Sequence, residues 1–421
     1  MRRPLAQPAC ECFCAILLFC AASSAPGQEL FHATLPRTVE IEPLTTSLQS
    51  APYTFKTGDF RLLVTPSLEA DWVDNIDLSQ NGGLQDFILR PLLQLDGTYP
   101  VSQLNLLQFK VGIGYDIYTE HSQFDALRLV SGSQVSFDTY VKDFVFNVHD
   151  RFHYIEDPAE QAAVATTAVF GGMYNTAGLS ATWDQQDLLM ELGYDHENFV
   201  ANSGAYGYLN EGSELLSARA GFRIHPQILV GPEAGGSFTR YDQHFLNDST
   251  GYRAGLFGQW RPGRYLKLEG HAGYQAYLFD QTSSALRAID QYAWYGSLIA
   301  THQLTDFFNY SLGAGRELRL GSEADFIKAW YVRPAINWRP LNEVQVQGYL
   351  SFEHGDQGQA QQGGGVVETY DWLGFGFVVS RPVLGRLNAA IRYRHTLRGS
   401  DLSSREYSQN LIGLILTYPF Q

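Results

Sequence analysis

Leu216-Ser217-Ala218-Arg219-Ala220-Gly221-Phe222-Arg223-Ile224 changes character at every residue. Leu216, Ala218, Ala220, Phe222 and Ile224 share one face, while Ser217, Arg219, Gly221 and Arg223 share the other. A strand sends successive side chains to opposite faces, whereas a helix would scatter this pattern around its axis. The segment therefore reads as a strand with one apolar and one polar side. The same holds for Leu266, Leu268, Ala272, Tyr274 and Leu278 against Lys267, Glu269, His271 and Gln275. It holds again for Val344, Val346, Leu350 and Phe352 against Glu343, Gln345, Gln347 and Glu353.

Working outward, this period-two pattern recurs from Phe60 to Gln421 in segments of about ten to fourteen residues. Eighteen segments can be placed, the first at 60–74 and the last at 404–420. Short connections carry proline: Tyr99-Pro100, His225-Pro226, Arg261-Pro262-Gly263, Arg339-Pro340 and Arg381-Pro382. The alternate connections are longer and polar or glycine-rich, at Asn75–Gln85, Ile155–Gly172, Phe199–Gly212, Phe279–Ala288 and Gly355–Gly365. Short turns at one end and long loops at the other predict an all-β fold, a transmembrane antiparallel up-and-down barrel of about eighteen strands within a range of about 16 to 20. An even count returns both chain ends to the periplasmic side.

Composition agrees. There are 40 glycines, aromatics make up 14% of the 421 residues, and Met occurs only 3 times, a profile of strands and turns. Mean hydropathy is −0.18 and no later stretch approaches the roughly twenty apolar residues of a membrane helix, but a barrel hides its lipid face in alternate positions. Residues 1–27 read as a signal peptide, with Arg2 and Arg3 before an apolar Ala15–Ala22 and small residues Ala25-Pro26-Gly27 before the cut. Cys10, Cys12, Cys14 and Cys20 all lie within it, so the mature chain is expected to hold no disulfide or thiolate metal site. Cys20 follows the bulky Phe19, which speaks against lipid attachment there. Loss of Arg2, Arg3 and Glu11 moves the formal charge from −15 to −16, and an acidic chain is a poor nucleic-acid binder. Residues 28–59, with Pro36, Pro43 and Pro52, read as a periplasmic N-terminal segment, and 60–421 as the barrel.

The last segment alternates Ile412, Leu414, Leu416, Tyr418 and Phe420 on one face and stops one residue from the end. It resembles the terminal strand by which outer-membrane barrels are recognised for assembly, with Tyr418 and Phe420 as the signal and Gln421 a departure. Aromatics gather towards segment ends, at Trp72, Tyr118, Tyr140, Tyr154, Trp183, Tyr194, Trp260, Tyr265, Trp330, Trp338 and Trp372, where they would suit the membrane interfaces. The opening Pro66-Ser67-Leu68-Glu69-Ala70-Asp71-Trp72-Val73-Asp74-Asn75-Ile76, followed by Phe87-Ile88-Leu89-Arg90-Pro91-Leu92-Leu93-Gln94-Leu95, resembles the β-barrel porin 2 family, chiefly through its Asp-Asn pair. That resemblance implies an outer-membrane barrel, in some members linked with exopolysaccharide production.

Catalytic motifs are missing. There is no His-Glu-x-x-His, no phosphate loop ending in Gly-Lys-Ser/Thr and no Gly-x-Ser-x-Gly, so neither enzymatic activity nor a cofactor is expected. Lys56-Thr57-Gly58 lacks the Ser-x-x-Lys partner of the penicillin-binding signature. His149, Arg151 and His153 share a strand face but show no third ligand, and Asp71, Asp74, Asn75 and Asp77 lack EF-hand spacing, so no metal is expected. The chemistry sits in the inward face. Arg90, Arg151, Arg219, Arg223, Arg253, Lys267, Lys328, Arg333, Arg392 and Arg394 are candidates to face the lumen, and they outnumber Glu191, Glu233, Glu269 and Glu343. Rings of basic residues select anions. The expectation is a passive outer-membrane channel for small, anionic or saccharide solutes. The alternative is a non-channel barrel for exopolysaccharide export, assembly or surface structure, its lumen blocked by 28–59 or by folded-in loops. The expected partners are outer-membrane lipid, the barrel-assembly machinery, further copies of the chain and polysaccharide.

Overall fold

The computed structural model describes residues 52–80, 83–130, 132–154, 157–284, 286–358 and 367–420. The expected signal peptide, residues 1–27, and residues 28–51 of the expected N-terminal segment lie outside the described residues. A short lead-in strand, β1 (Phe55–Thr57), precedes β2 (Phe60–Val73), β3 (Asp86–Ser102), β4 (Asn105–Tyr118), β5 (Ala126–Leu129), β6 (Ser133–Val141) and β7 (Phe144–Tyr154). Next come β8 (Gly172–Asp184), β9 (Leu188–Ala201), β10 (Glu211–His225), β11 (Ile228–Tyr241), β12 (Ser249–Trp260) and β13 (Leu266–Phe279). The wall ends with β14 (Gln291–Thr305), β15 (Phe308–Leu320), β16 (Phe326–Leu341), β17 (Val344–Gln357), β18 (Glu368–Leu384), β19 (Leu387–Ser400) and β20 (Tyr407–Thr417).

From β2 onward each strand pairs antiparallel with the next, save β5 with β6. β5 and β6 both pair with β4 and make one interrupted stave, so the wall has 18 staves. It closes where β2 meets β20, from Ser67 opposite Thr417 to Val73 opposite Leu411. Closure joins the first wall strand to the last, so the sheet has no free outer strand, as a barrel in lipid requires. The faces are sorted as the alternation predicts. Leu216, Phe222 and Ile224 are 47%, 50% and 68% exposed on the outside, and Arg219 turns inward to Glu191. An outer surface so apolar would be untenable in water and is what a hydrocarbon layer requires.

Three expected proline turns shift by one or two residues. Pro100, Pro340 and Pro382 end strands instead of turning the chain, each beside a register shift: Pro100/Ser102, Trp338/Leu341 and Pro382/Leu384. A residue with no N–H is tolerated where ladder bonds lapse at a bulge. The turns follow them, and Gly385, with φ of 54°, takes the left-handed conformation that glycine adopts without strain. Of the aromatics expected outside, Trp72, Trp183, Tyr194, Trp260, Trp330 and Trp338 hold outward register positions. Tyr118, Tyr140 and Trp372 instead occupy inward ones, because register, not side-chain type, decides the face.

The Asp-Asn pair of the opening motif closes the seam. Asp74 accepts from the Asn410 amide at 2.7 Å and from its Nδ2 at 2.6 Å. Asn75 donates to the Ser408 carbonyl at 2.9 Å, and the Asn75 carbonyl accepts from Gln409 at 2.8 Å. The first strand is thus stitched to the last at the long-loop end.

Candidate functional site: a charged lumen beneath an inward-folded loop

Polar residues on the inner wall fall into ion-paired groups. On one side Arg90 meets Asp71 and, at 3.3 Å, Asp116. Arg128 lies 3.4 Å from Glu69, and Arg392 meets both Asp71 and, at 3.3 Å, Glu69. Three guanidiniums thus face three carboxylates on β2, β3, β4, β5 and β19. Asp71, singled out above as a loop acid, is a fully buried wall residue in this group. Further round, Arg219 meets Glu191, and Glu233 accepts from Tyr295 at 2.7 Å and contacts His271 at 2.8 Å. Glu353 gathers Arg319 at 2.5 Å, the Tyr370 hydroxyl at 2.9 Å and Arg333 at 3.8 Å.

Nine of the ten predicted basic residues therefore hold inward register positions. Arg223, at the short-turn end, binds Asp184 at 2.6 Å and the turn carbonyl of Gln185. Lys267 reaches Glu269 at 2.8 Å. Lys328 is the exception, on the outward register beside Trp330 with its Nζ 5.2 Å over the Phe326 ring. The expected basic surplus is not what the wall presents. Asp71, Asp116, Asp138, Asp195, Glu353 and Glu368 also face inward and neutralise much of it; Glu343 lies at the exposed rim with Arg381. Among the described residues, Arg151 and Arg253 have no carboxylate within 4 Å, and Arg253 instead sits 5.6 Å over the Tyr295 ring. His149 is held by Asp195 at 2.8 Å and Asn147 at 2.7 Å, a polar wall contact.

The long-loop end is closed in. The connection between β7 and β8 crosses the lumen to the opposite wall. Asp157 caps a short helical turn there, Pro158–Glu160, by accepting from the Ala159 amide at 2.9 Å. Four groups on β18, β19 and the last loop then hold this segment. Trp372 donates to the Ala159 carbonyl at 3.2 Å, Arg394 binds Asp157 and, at 2.8 Å, Glu160, Arg398 donates to the Ala162 carbonyl at 2.7 Å, and Arg405 donates to the Ala163 carbonyl at 2.8 Å. Glu368 ties the two latch arginines, at 2.6 Å from Arg398 and 2.8 Å from Arg405. Above them Leu78, Val164, Phe170, Leu209, Leu246 and Leu286, from five different loops, bury one another. Backbone carbonyls that would otherwise be orphaned inside the barrel thus find guanidinium donors.

The loop carboxyls differ in their titration. Burial pushes Asp157 up, but Arg394 and the Ala159 amide outweigh it and hold the carboxyl below its usual range. Burial pushes Glu323 and Asp325 up, and neither Arg405 beside Glu323 nor Asn247, which donates to Asp325 at 2.8 Å, reverses it.

Sequence reading found Arg394 but missed its companions Trp372, Arg398, Arg405 and Glu368. Arg398 was within reach, because Arg392, Arg394, Thr396 and Arg398 follow one another at the two-residue spacing of a single face. Nothing in the sequence tells that the loop carbonyls come to meet them.

No family model matches the chain, and no curated protein matches it. Similar solved structures are outer-membrane proteins of Pseudomonas aeruginosa. OpdK with vanillate has 12% identity and a TM-score of 0.47, covering 85% of this chain and 98% of that one. OccK2 (OpdF) with glucuronate has 11%, 0.47, 85% and 97%, and OprD has 10%, 0.45, 85% and 94%. The closed barrel and its sorted faces stand on this chain's own strand pairing.

Proposed function

We propose that the protein is a porin-like channel of the bacterial outer membrane, passing small solutes passively through a lumen narrowed by the loop between β7 and β8. The observation that supports it is the inner wall, polar and charged along an 18-stave barrel, a circumference at which barrels enclose an aqueous path. Arg151 and Arg253, with no carboxylate within 4 Å among the described residues, give that path sites for an anionic or saccharide solute. Export through the signal peptide, assembly through Tyr418 and Phe420, and association of copies belong to the same reading, as does kinship with the β-barrel porin 2 family. Liposome swelling with neutral sugars and small carboxylates tests it: swelling faster with the carboxylates supports the channel and its preference, and equal impermeability to all solutes contradicts it.

One observation favours a second reading. The apolar core of the loop end, with Leu78, Val164, Phe170 and Leu286 buried together, would suit a barrel shut to diffusion and serving polysaccharide export or surface structure. Swelling that stays absent after the β7–β8 loop is shortened would favour it.

A further inference from the structure

The wall steps inward between β14 and β15. β14 pairs with β15 only from Gly296, opposite Arg316, so Gln291–Tyr295 of β14 have a neighbour on the β13 side alone, and β15 from Glu317 onward pairs only with β16. The tip of the β15–β16 hairpin leans into the lumen behind β14. Leu318 and Leu320, which continue the outward register of Leu312 and Ala314, are buried against Tyr277, Phe279 and Ala293 of the inner wall, and Gln275 donates to the Leu318 carbonyl at 2.6 Å. Arg316 is the last residue of β15 left on the outside.

Its surroundings are organised for a ligand. The guanidinium lies 4.4 Å over the Trp294 ring and 5.5 Å over the Trp330 ring, and these rings meet edge to face at 5.1 Å, each about half exposed. One nitrogen donates to the Trp294 carbonyl at 2.9 Å. Among the described residues Arg316 has no carboxylate within 4 Å. On the outward register beyond Trp330, His354 and Asp371 satisfy one another at 2.7 Å. Tryptophan pairs of this kind mark the membrane interface, where a basic side chain is tolerated, while at mid-bilayer it would cost about 2–4 kcal/mol. A planar guanidinium fixed against two rings, with N–H groups beyond the one given to the Trp294 carbonyl, is suited to a phosphate oxygen pair.

We infer that Trp294, Arg316 and Trp330 form a binding site for the phosphate of an outer-leaflet lipid headgroup. The site rests on the membrane placement of the outer face proposed above. It ties the barrel to an anionic lipid beside the step in the wall, and the bound headgroup fills the step left by the inward hairpin.

The test uses the full-length chain in phosphatidylcholine vesicles, with tryptophan quenching by brominated phosphatidylcholine compared with brominated phosphatidic acid. The wild type is expected to prefer phosphatidic acid, and R316Q to lose about fivefold of that preference, the factor one surface arginine contributes to anionic-lipid binding. R316K, which keeps charge and bulk, should retain part of it. Equal quenching by the two lipids in the wild type, or an unchanged preference in R316Q with a normal heat-modifiable band, overturns the site. If R316Q fails to fold, an R316K preference equal to wild type overturns the planar clamp. Removal of the preference by inorganic phosphate overturns the lipid assignment in favour of free phosphate. Absence of quenching by either lipid contradicts the membrane placement itself.

Discussion

Arg398 and Glu368 face each other at 2.6 Å with both side chains fully buried, and the same guanidinium donates to the Ala162 carbonyl on a loop from the far side of the barrel. This contact joins wall to loop. An arginine buried in the wall satisfies one charge and donates to one loop carbonyl, which helps hold the loop in the lumen.

Arg398→Met should therefore leave Glu368 facing only Arg405 and Ser400, and remove the Arg398 donor from the Ala162 carbonyl. Removing one member of a buried pair typically costs about 3–5 kcal/mol. Differential scanning of the detergent-solubilised barrel should show a lower unfolding temperature. Arg398→Met together with Glu368→Leu should recover a large part of the loss.

Trp372→Phe retains the apolar contact with Ala162 and Ala163 but removes the hydrogen bond to Ala159. The expected cost is about 1 kcal/mol, with faster proteolysis between 157 and 170. Protection equal to wild type would show that the indole N–H does not hold the loop.

The loop carboxyls give the closed end a two-sided pH response. Asp157 is held below its usual range, so its contribution to closure is present above the unfolded value of 3.8 and fades as pH falls towards its depressed folded value. Asp325 and Glu323 are raised. Their contribution is complete below their unfolded values of 3.8 and 4.5 and is lost as pH climbs through the raised folded values. Asp325→Asn should flatten the second limb, because the amide no longer gains a buried charge, while leaving the acid limb unchanged. Amide exchange of Asn247, followed against pH in both proteins, measures this.

Arg151→Gln and Arg253→Gln remove the two inward arginines that lack a carboxylate neighbour within 4 Å. Reversal potentials across a salt gradient should move towards cation preference by a few millivolts to tens of millivolts, and more in the double variant. Arg219→Gln, which also unmasks Glu191, should shift selectivity the same way but lower stability as well.

Much of the fold could be read from residue alternation, because lipid and water impose opposite demands on adjacent positions. Leu216 to Ile224 shows its two faces without reference to any other strand, and the placed segments coincide with the staves to within a few residues. The proline turns slipped because Pro100, Pro340 and Pro382 answer to hydrogen-bond gaps at strand ends, a property of two strands together. The inward charges were half legible. Arg90 and Arg392 declare a wet face, but their balance depends on Asp71 and Asp116, which come beside them only through cross-strand register. Lys328 followed the local pattern of charge and not the register of β16. The crossing loop was illegible, since Ala159, Ala162 and Ala163, whose carbonyls are recognised by Trp372, Arg398 and Arg405, carry no polar side chain to announce it.

The central claim is that solutes cross this barrel, and single-channel recording of the full-length chain in planar bilayers tests it most directly. Discrete conductance steps are expected, and they should grow when residues 159–169 are replaced by a short glycine linker. Silent bilayers with both proteins, each inserted and heat-modifiable, would contradict it.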